Sequence, residues 1–395
     1  MKRSTMLLAF LTGLLAAPLM AAAQTVKVGI VNTYSGPGAS LGENIDKGIR
    51  LYLKLNERRL PPGVKIELLR RDDGGANPQR AMQLAQELVA SDKVHILAGV
   101  VWTPNAAAIA QVATEAKVPF IVMNAAGSSI TTLSPYVARV SMTLWQSAYP
   151  TGVWAARKYK RAYIAVSDFS PGHDSETAFE KGFREGGGQI VGKVRFPLAD
   201  PDFMPLMQRA KEAKPDVLFG FIPAGPQSTR IMKAYGNLGM KKAGIDFIGP
   251  GDITPDDELR NMGDVALGIY SVHHYSAAAT RAANKAFIVA WKRQYGENSV
   301  PSFMAVGGYD GMDAVFHIVR EQKGKIDPER SMLLLRGYKN PNSPRGPIYI
   351  DPATRDIVQN QYLREVRKVN GQLANVEVET VATAVKDPWK ALNKK

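Results

Sequence analysis

Residues 26–57 read VKVGIVNTYSGPGASLGENIDKGIRLYLKLNE, and this stretch decides the fold. It begins with a run of β-branched residues from Val26 to Val31, which predicts a strand. A loop follows, and from Glu43 to Leu55 apolar residues recur at helical spacing. A strand followed by a helix is the first half of a βαβ unit, so the stretch predicts a parallel sheet covered by helices.

The same alternation continues along the chain and then restarts. The further strands predicted in the first series are residues 64–69, 94–101 and 119–123. Those predicted in the second series are residues 162–166, 189–196, 217–222 and 247–248. Two successive α/β units of this kind predict two lobes.

The remainder of the chain has a different pattern. A strand predicted at Leu267–Tyr275 precedes two long amphipathic helices, one around Phe287 and one around Phe316. Two more predicted strands follow, and Asn370-Gly371 predicts a hairpin turn after the second. This last part is too short to form a third independent domain.

The N-terminus predicts a secretory signal peptide over residues 1–23, with cleavage near Ala23. It has a basic start, an apolar run from Met6 to Leu19 and three alanines before the cleavage point. A membrane anchor is the alternative, but the run is shorter than the roughly 20 residues needed to span a bilayer and Pro18 interrupts it. We therefore expect an exported product whose mature chain begins near Gln24.

The composition excludes several classes of function. The chain has no cysteine, which rules out thiol chemistry, thiolate metal sites and a lipid-modified cysteine anchor. The formal net charge of +14 raises the question of nucleic acid. Because the basic residues are dispersed among acidic ones, as in the segment Lys54–Arg59, they indicate solvated faces and no nucleic-acid partner.

Two further segments, IELLRRDDGGANPQRAMQLAQELVASDKVHILAGV (66–100) and VPFIVMNAAGSS (118–129), complete a resemblance with the opening stretch. Together the three strongly resemble the leucine/isoleucine/valine-binding family, the type I periplasmic solute-binding proteins of ABC importers. The resemblance implies an α/β, type I periplasmic-binding fold: two Rossmann-like lobes with parallel sheets, joined by a three-segment hinge.

In that family the last helices of the first lobe follow the second lobe in sequence. The resemblance thus implies discontinuous lobes in this chain. We expect an N-terminal lobe of residues 24–142 plus 276–345 and a C-terminal lobe of residues 143–275 plus 346–395.

The resemblance also implies a function. The protein is expected to capture a small carboxylate in the cleft between its lobes, either a branched-chain or hydrophobic amino acid or an aromatic acid. It would deliver this ligand, as a monomer without cofactor or enzymatic activity, to an ABC permease in the inner membrane. The alternative is a sensory protein that reports ligand to a membrane kinase or chemoreceptor.

Open parallel sheets bind ligands beyond the carboxyl ends of their strands, which selects the loops that carry the candidate site. In the first lobe, the turn after the predicted strand 119–123 offers Asn124, Ala125, Ala126 and Ser128. Backbone N–H groups of this turn and the Ser128 hydroxyl are candidates for binding a carboxylate. A connecting turn with a Ser cap is the alternative.

Two other loops of the first lobe contribute candidates. Thr103 matches a family position whose hydroxyl holds the ligand carboxylate. Trp102 departs from the small polar residue usual there, and its indole either stacks on an aromatic ligand or caps the core. Tyr34 and Ser35, after the first strand, are candidates for the pocket wall.

From the second lobe, Phe169, Phe221 and Pro223 occupy positions where the family presents aromatic residues to the ligand, with structural packing as the alternative. The loop Gly249-Pro250-Gly251-Asp252 departs further, because the family has a glutamate after Gly-Pro that pairs the ligand ammonium. Here that position is Gly251. Either Asp252 takes over the pairing, or the ligand is an acid without an amine; a purely structural role for Asp252 also stays open.

No motif for catalysis or metal binding stands out. The loop Ser35–Gly42 lacks the spacing of a dinucleotide fingerprint, and no G-x-S-x-G sequence is present. The adjacent His273 and His274 are predicted to lie in a strand and to point to opposite faces, which would keep them from sharing a metal ion. We expect neither a catalytic nor a metal site.

Overall fold

The computed structural model describes residues 24–393, so the predicted signal peptide lies outside the described residues. The strands are β1 (Gln24–Asn32), β2 (Val64–Asp72), β3 (Ile96–Gly99), β4 (Phe120–Val122), β5 (Val137–Arg139), β6 (Arg161–Ser167), β7 (Gln189–Phe196), β8 (Val217–Phe221), β9 (Asp246–Pro250), β10 (Tyr270–His273), β11 (Lys339–Asn340), β12 (Ile348–Ile350), β13 (Ile357–Val369) and β14 (Gln372–Val385). The α-helices are α1 (Ala39–Asn56), α2 (Pro78–Ala90), α3 (Thr103–Ala116), α4 (Leu144–Lys158), α5 (Ser170–Glu185), α6 (Phe203–Glu212), α7 (Pro226–Asn237), α8 (Leu259–Met262), α9 (Ala282–Tyr295), α10 (Phe303–Glu321), α11 (Pro328–Arg336) and α12 (Pro388–Leu392).

The first sheet contains five parallel strands in the order β2-β1-β3-β4-β5. Its central strands are buried on both faces, as the β-branched runs predict: Val28 and Ile30 of β1 and Ile96 of β3 are fully covered. The predicted α/β class with a parallel sheet is confirmed. The short strand β5 was not predicted, because three residues are too few to show a period.

The second sheet has the order β11-β12-β13-β10-β9-β8-β6-β7, with β14 paired to β13. Strands β6 to β10 are parallel to one another, and β13 runs antiparallel to β10. The predicted hairpin turn is confirmed, since Asn370 and Gly371 join β13 to β14 with positive φ angles of 50° and 79°. The two sheets give the molecule the two lobes that the repeated pattern predicts.

Two glycines allow a late helix to cover the first sheet. Helix α10 packs on α1, where a Cβ added at Gly48 would overlap the carbonyl oxygen of Ala305, and one added at Gly308 would overlap that of Ile45. The two helix backbones therefore approach more closely than side chains of any size would permit. This contact joins the beginning of the chain to its last quarter.

We predict that Gly48→Ala destabilises the protein by about 3 kcal/mol or more, because the added methyl group must push α10 away from α1. The measurement is the midpoint of urea unfolding. Gly337→Ala is the matched control, since its Cβ would lie at an ordinary 3.7 Å from the nearest atom and its φ is −97°. Equal effects of the two substitutions would contradict the role of the glycine contact.

Candidate ligand-binding site

Three helices begin where strands of the two sheets end. The residues that precede them are Trp102 before α3, Phe169 before α5 and Gly225 before α7. Each of these helices has a proline in its first two positions, which removes one of the N–H groups that a helix start leaves unpaired. The positive ends of the three helix dipoles meet in the cleft, an arrangement that favours a bound anion.

A cavity lies between the lobes at this point. The residues that line it are Leu41, Val101, Trp102, Thr103, Asn124, Ala126, Met142, Leu144, Phe169, Pro171, Phe221, Pro223, Ala224, Asp252 and Met304. The space measures about 30 Å³, so the lobes lie almost against each other here. Its walls are largely apolar, with a few polar groups that can fix the orientation of a ligand.

On the first-lobe side, Thr103 presents a hydroxyl group to the cavity. Its Oγ1 accepts a hydrogen bond from the Gly127 N–H at 3.1 Å, which leaves the hydroxyl hydrogen to be donated. Trp102 is held at the cavity edge because its Nε1 donates to Thr33 Oγ1 at 3.0 Å. Its ring is half-buried, packs on the core and also lines the cavity.

The turn from Asn124 to Ser128 reaches the cavity with only part of its length. Asn124 and Ala126 line it, whereas Ala125 and Ser128 do not. Three of the turn's N–H groups are already bonded: that of Ala125 to the Val100 carbonyl at 3.2 Å, that of Gly127 to Thr103, and that of Ser128 to Asp174 Oδ2 at 2.8 Å. The turn therefore supports Thr103 more than it offers free donors.

Two predicted wall residues lie elsewhere. The Tyr34 hydroxyl is 3.4 Å from Asp46 Oδ1, and Ser35 is exposed, so neither lines the cavity. Leu41, in the first turn of α1 just after this loop, lines the cavity instead. Tyr34 and Ser35 do not line this cavity, and their contact with a ligand stays a prediction.

The second-lobe side is a flat apolar wall. The rings of Phe169 and Phe221 stack with centroids 6.1 Å apart and an angle of 23° between their planes. Pro171 and Pro223 extend this surface. Phe221 is buried and Phe169 is half-buried, so both rings pack in the structure and face the cavity at once.

Asp252 is the acidic group among the lining residues. It is 4% exposed, it lies in the 3₁₀ turn after β9, and its Oδ2 has no hydrogen-bond partner among the described residues. Burial raises the pKa of Asp252 to about 7. The nearest ring, His273, lies 4.0 Å away, and burial lowers the pKa of His273 well below its ordinary value. A neutral imidazole therefore stands beside this carboxyl group.

The space next to Gly251 is occupied by two basic side chains. A Cβ at this position would overlap the ring of His273 and would lie 2.6 Å from Arg364 Nη2. Arg364 is fully buried and donates to the Tyr275 carbonyl at 2.7 Å and to Ser271 Oγ at 3.0 Å. Gly251 therefore cannot be replaced by a glutamate without displacing the His273 ring and the Arg364 guanidinium.

The prediction for the histidine pair is wrong in one respect. The rings of His273 and His274 do not point to opposite faces; their centroids are 4.1 Å apart. The reason is that β10 ends at His273, so the alternation of a strand no longer applies to His274. Over residues 24–393, no group of three or more His, Asp or Glu side chains is arranged to hold a metal ion.

Sequence reasoning missed several lining residues. Met142 and Leu144 follow the unpredicted strand β5, and Met304 comes from the start of α10, far along the chain. No local pattern marks them, because they reach the cavity only through tertiary packing. Four other lining residues lie in or beside the predicted loops, so the rule that ligands bind at the carboxyl ends of strands could have identified them: Leu41, Val101, Pro171 and Ala224.

Two parallel-sheet lobes with an apolar cleft between them, surrounded by helix N-termini, define a two-lobed solute-binding protein. None of the helices described in the structure has both the length and the apolar character needed to cross a membrane. The chain belongs to the periplasmic binding protein family, whose profile matches residues 25–372. The predicted family and its role as the binding component of ABC transporters are confirmed.

Relatives and solved structures agree with this assignment. The Leu/Ile/Val-binding protein homolog 6 of Brucella melitensis is 39% identical over 360 residues, which are 91% of this chain and 92% of the relative. The solute-binding protein of an ABC transporter from Rhodopseudomonas palustris BisB5, solved in complex with 3,4-dihydroxybenzoic acid, is 48% identical with a TM-score of 0.89, covering 93% of this chain and 99% of that one. Another from R. palustris, in complex with 4-hydroxybenzoate, is 40% identical with a TM-score of 0.89, covering 94% and 100%.

The raised pKa of Asp252 gives a testable pH dependence. Because the folded state binds this proton more tightly than the unfolded chain, the group's contribution to stability is present at low pH and is lost as the pH rises toward 7. Asn does not titrate, so we predict that Asp252→Asn gains about 2–3 kcal/mol relative to the parent protein between pH 5 and pH 8.

Urea unfolding of both proteins at the two pH values measures this difference. Glu321→Gln, which removes an exposed carboxylate at the end of α10, is the control and should show no such change. A stability difference between Asp252→Asn and the parent that does not vary with pH would show that Asp252 is not a carboxyl group held neutral by burial.

Proposed function

We propose that this protein captures a monoaromatic carboxylic acid in the cleft between its lobes and delivers it to an ABC permease. The observation that carries this proposal is the occupation of the space beside Gly251 by His273 and Arg364. Binding of an amino acid buries an ammonium group, which requires a charged partner. At Gly251 the structure places a guanidinium and an imidazole instead of an acid.

Asp252 is a poor substitute for the missing glutamate. Its pKa of about 7 means that near neutral pH it carries a proton for much of the time, and a neutral carboxyl group does not pair an ammonium. The guanidinium of Arg364 nearby also disfavours a second cation. An acid without an amine avoids both costs.

The two sides of the cleft suit the two ends of such an acid, which would enter only after the lobes separate, because the space of about 30 Å³ between them is too small for an aromatic ring. Its carboxylate would accept the Thr103 hydroxyl hydrogen at the positive end of α3. Its ring would lie against Phe169, Phe221 and the indole of Trp102, where stacking of flat rings is favourable. The complexes of the two R. palustris proteins with hydroxybenzoates support this assignment.

We extend the proposal to the parts of the chain that act around the site. Residues 1–23 would be a signal peptide removed near Ala23, and the mature protein a periplasmic monomer. Its lobes would comprise residues 24–142 plus 276–345 and residues 143–275 plus 346–395. The protein would bind its ligand without converting it, since the lining residues include no nucleophile with a neighbouring base.

Isothermal titration calorimetry of mature protein, residues 24–395, tests the ligand class. We expect benzoate to bind and leucine to give no heat of binding at the same concentrations. Leucine binding more tightly than benzoate and its hydroxylated derivatives would contradict the proposal. The protein should be unfolded and refolded first, so that no ligand retained from the cell competes.

We predict that Thr103→Val weakens benzoate binding about tenfold to a hundredfold, because a hydrogen bond to a charged group contributes about 1.5–3 kcal/mol. Thr114→Val is the matched control: it lies in the same helix, and its hydroxyl donates to the Ala110 carbonyl instead of facing the cavity. Calorimetry of both variants should show the loss at Thr103 alone. The same loss in both would assign the effect to α3 as a whole.

A further inference from the structure

We infer that the ligand carries a hydroxyl group on its aromatic ring, remote from its carboxylate, and that Asp252 recognises this hydroxyl by accepting its hydrogen bond. The inference rests on the proposed function and adds to it the residue that selects among aromatic acids. It starts from a buried oxygen that the protein itself leaves without a partner.

Asp252 Oδ2 is this oxygen. The side chain is 4% exposed and lines the cavity, and no hydrogen bond reaches Oδ2 from the described residues. A buried acceptor without a donor destabilises the protein, and more so when the acceptor is charged. A binding cleft retains such a group at this cost when a ligand supplies the missing donor.

The neighbouring basic groups do not supply that donor. His273 Nε2 is 4.0 Å from Oδ2, too far for a hydrogen bond, and lies 3.2 Å from Met142 Sδ. Arg364 directs its hydrogens to the carbonyl of Tyr275 and the hydroxyl of Ser271, with Asp256 at 3.5 Å. Both side chains are committed elsewhere, so the donor must enter from the cavity.

The position of Asp252 in the cleft indicates which end of the ligand carries the hydroxyl group that donates to it. Asp252 belongs to the second lobe, after β9, and Thr103 belongs to the first lobe, at the start of α3. A ligand carboxylate beside Asp252 would bring two acidic groups together in a buried site, where both cannot be ionised. Thr103 instead offers a hydroxyl donor at the positive end of α3. With the carboxylate at Thr103, a ring that reaches the second lobe would present its opposite end to the side of the cleft on which Asp252 lies.

Calorimetry with a matched series of ligands tests the inference on the parent protein. The series is benzoate, 4-hydroxybenzoate, 4-fluorobenzoate and 2-hydroxybenzoate. We expect 4-hydroxybenzoate to bind at least tenfold more tightly than benzoate, whereas 4-fluorobenzoate lacks the donor and should not gain. In 2-hydroxybenzoate the hydroxyl lies beside the carboxylate, so this ligand should bind no better than benzoate.

The variant Asp252→Asn then assigns the preference to this residue. It keeps the shape of the side chain but replaces the carboxylate with an amide, whose oxygen is a weaker acceptor. At pH 8, above the pKa of about 7 of Asp252, the ratio of the affinities for 4-hydroxybenzoate and benzoate should therefore fall at least tenfold. The unfolding midpoint of the variant shows whether it is folded. If it is not, the ligand series on the parent protein still decides whether a remote hydroxyl is recognised.

The outcomes of these experiments distinguish a failure of this inference from a failure of the proposed aromatic-acid function. Equal binding of benzoate and 4-hydroxybenzoate by the parent protein would overturn the inference and leave the aromatic-acid function standing. A preference for 4-hydroxybenzoate that persists unchanged in Asp252→Asn would also overturn it. Failure of every aromatic acid to bind would overturn the proposed function itself.

Discussion

The hydrogen bonds of the buried Arg364 guanidinium hold together the end of the second lobe that faces the cleft. Arg364 extends from β13 under β10 to the turn after β9, where it lies 3.3 Å from the carbonyl of Gly251. A buried charge is tolerated only when its hydrogens are bonded, and here Tyr275 and Ser271 accept them. The guanidinium fills the space beside Gly251, and the next residue of the same turn, Asp252, lines the cavity.

The ligand class that we propose would follow from this packing rather than from any single contact. At Gly251 a larger residue would displace His273 and Arg364 together, and with them the hydrogen bonds that join β10 to β13 at this end. Under our proposal, the residue at position 251 thus affects both the choice of ligand and the stability of the second lobe.

Much of this arrangement was predictable from the sequence, because it depends on short-range patterns. The β-branched runs and the helical spacing specify parallel sheets, and parallel sheets place their strand ends at one edge. That rule alone selected the loops of Trp102, Thr103 and Asn124, and of Phe169 and Phe221, all of which line the cavity.

What was not predictable involves groups far apart in sequence. Arg364 is 113 residues from Gly251, and nothing near either residue signals their contact. The turn at Ser128 shows the same limit, since its N–H group is bonded by Asp174 from the facing lobe. A turn's own sequence shows which donors it has, but not which of them a distant side chain will occupy. Asn44 and Asp257, 3.0 Å apart, form a similar contact between distant segments.

The packing of α10 on α1 also sets the order in which the molecule can fold. The face of the first sheet on which α1 lies is not fully covered until residues 303–321 have been made, so an early chain segment waits for a late one. Contacts between residues so distant in sequence slow folding, because a long loop must close before they form. Completion of the first lobe is therefore expected to be a late step in folding, because the helix that packs on α1 lies in the last quarter of the chain.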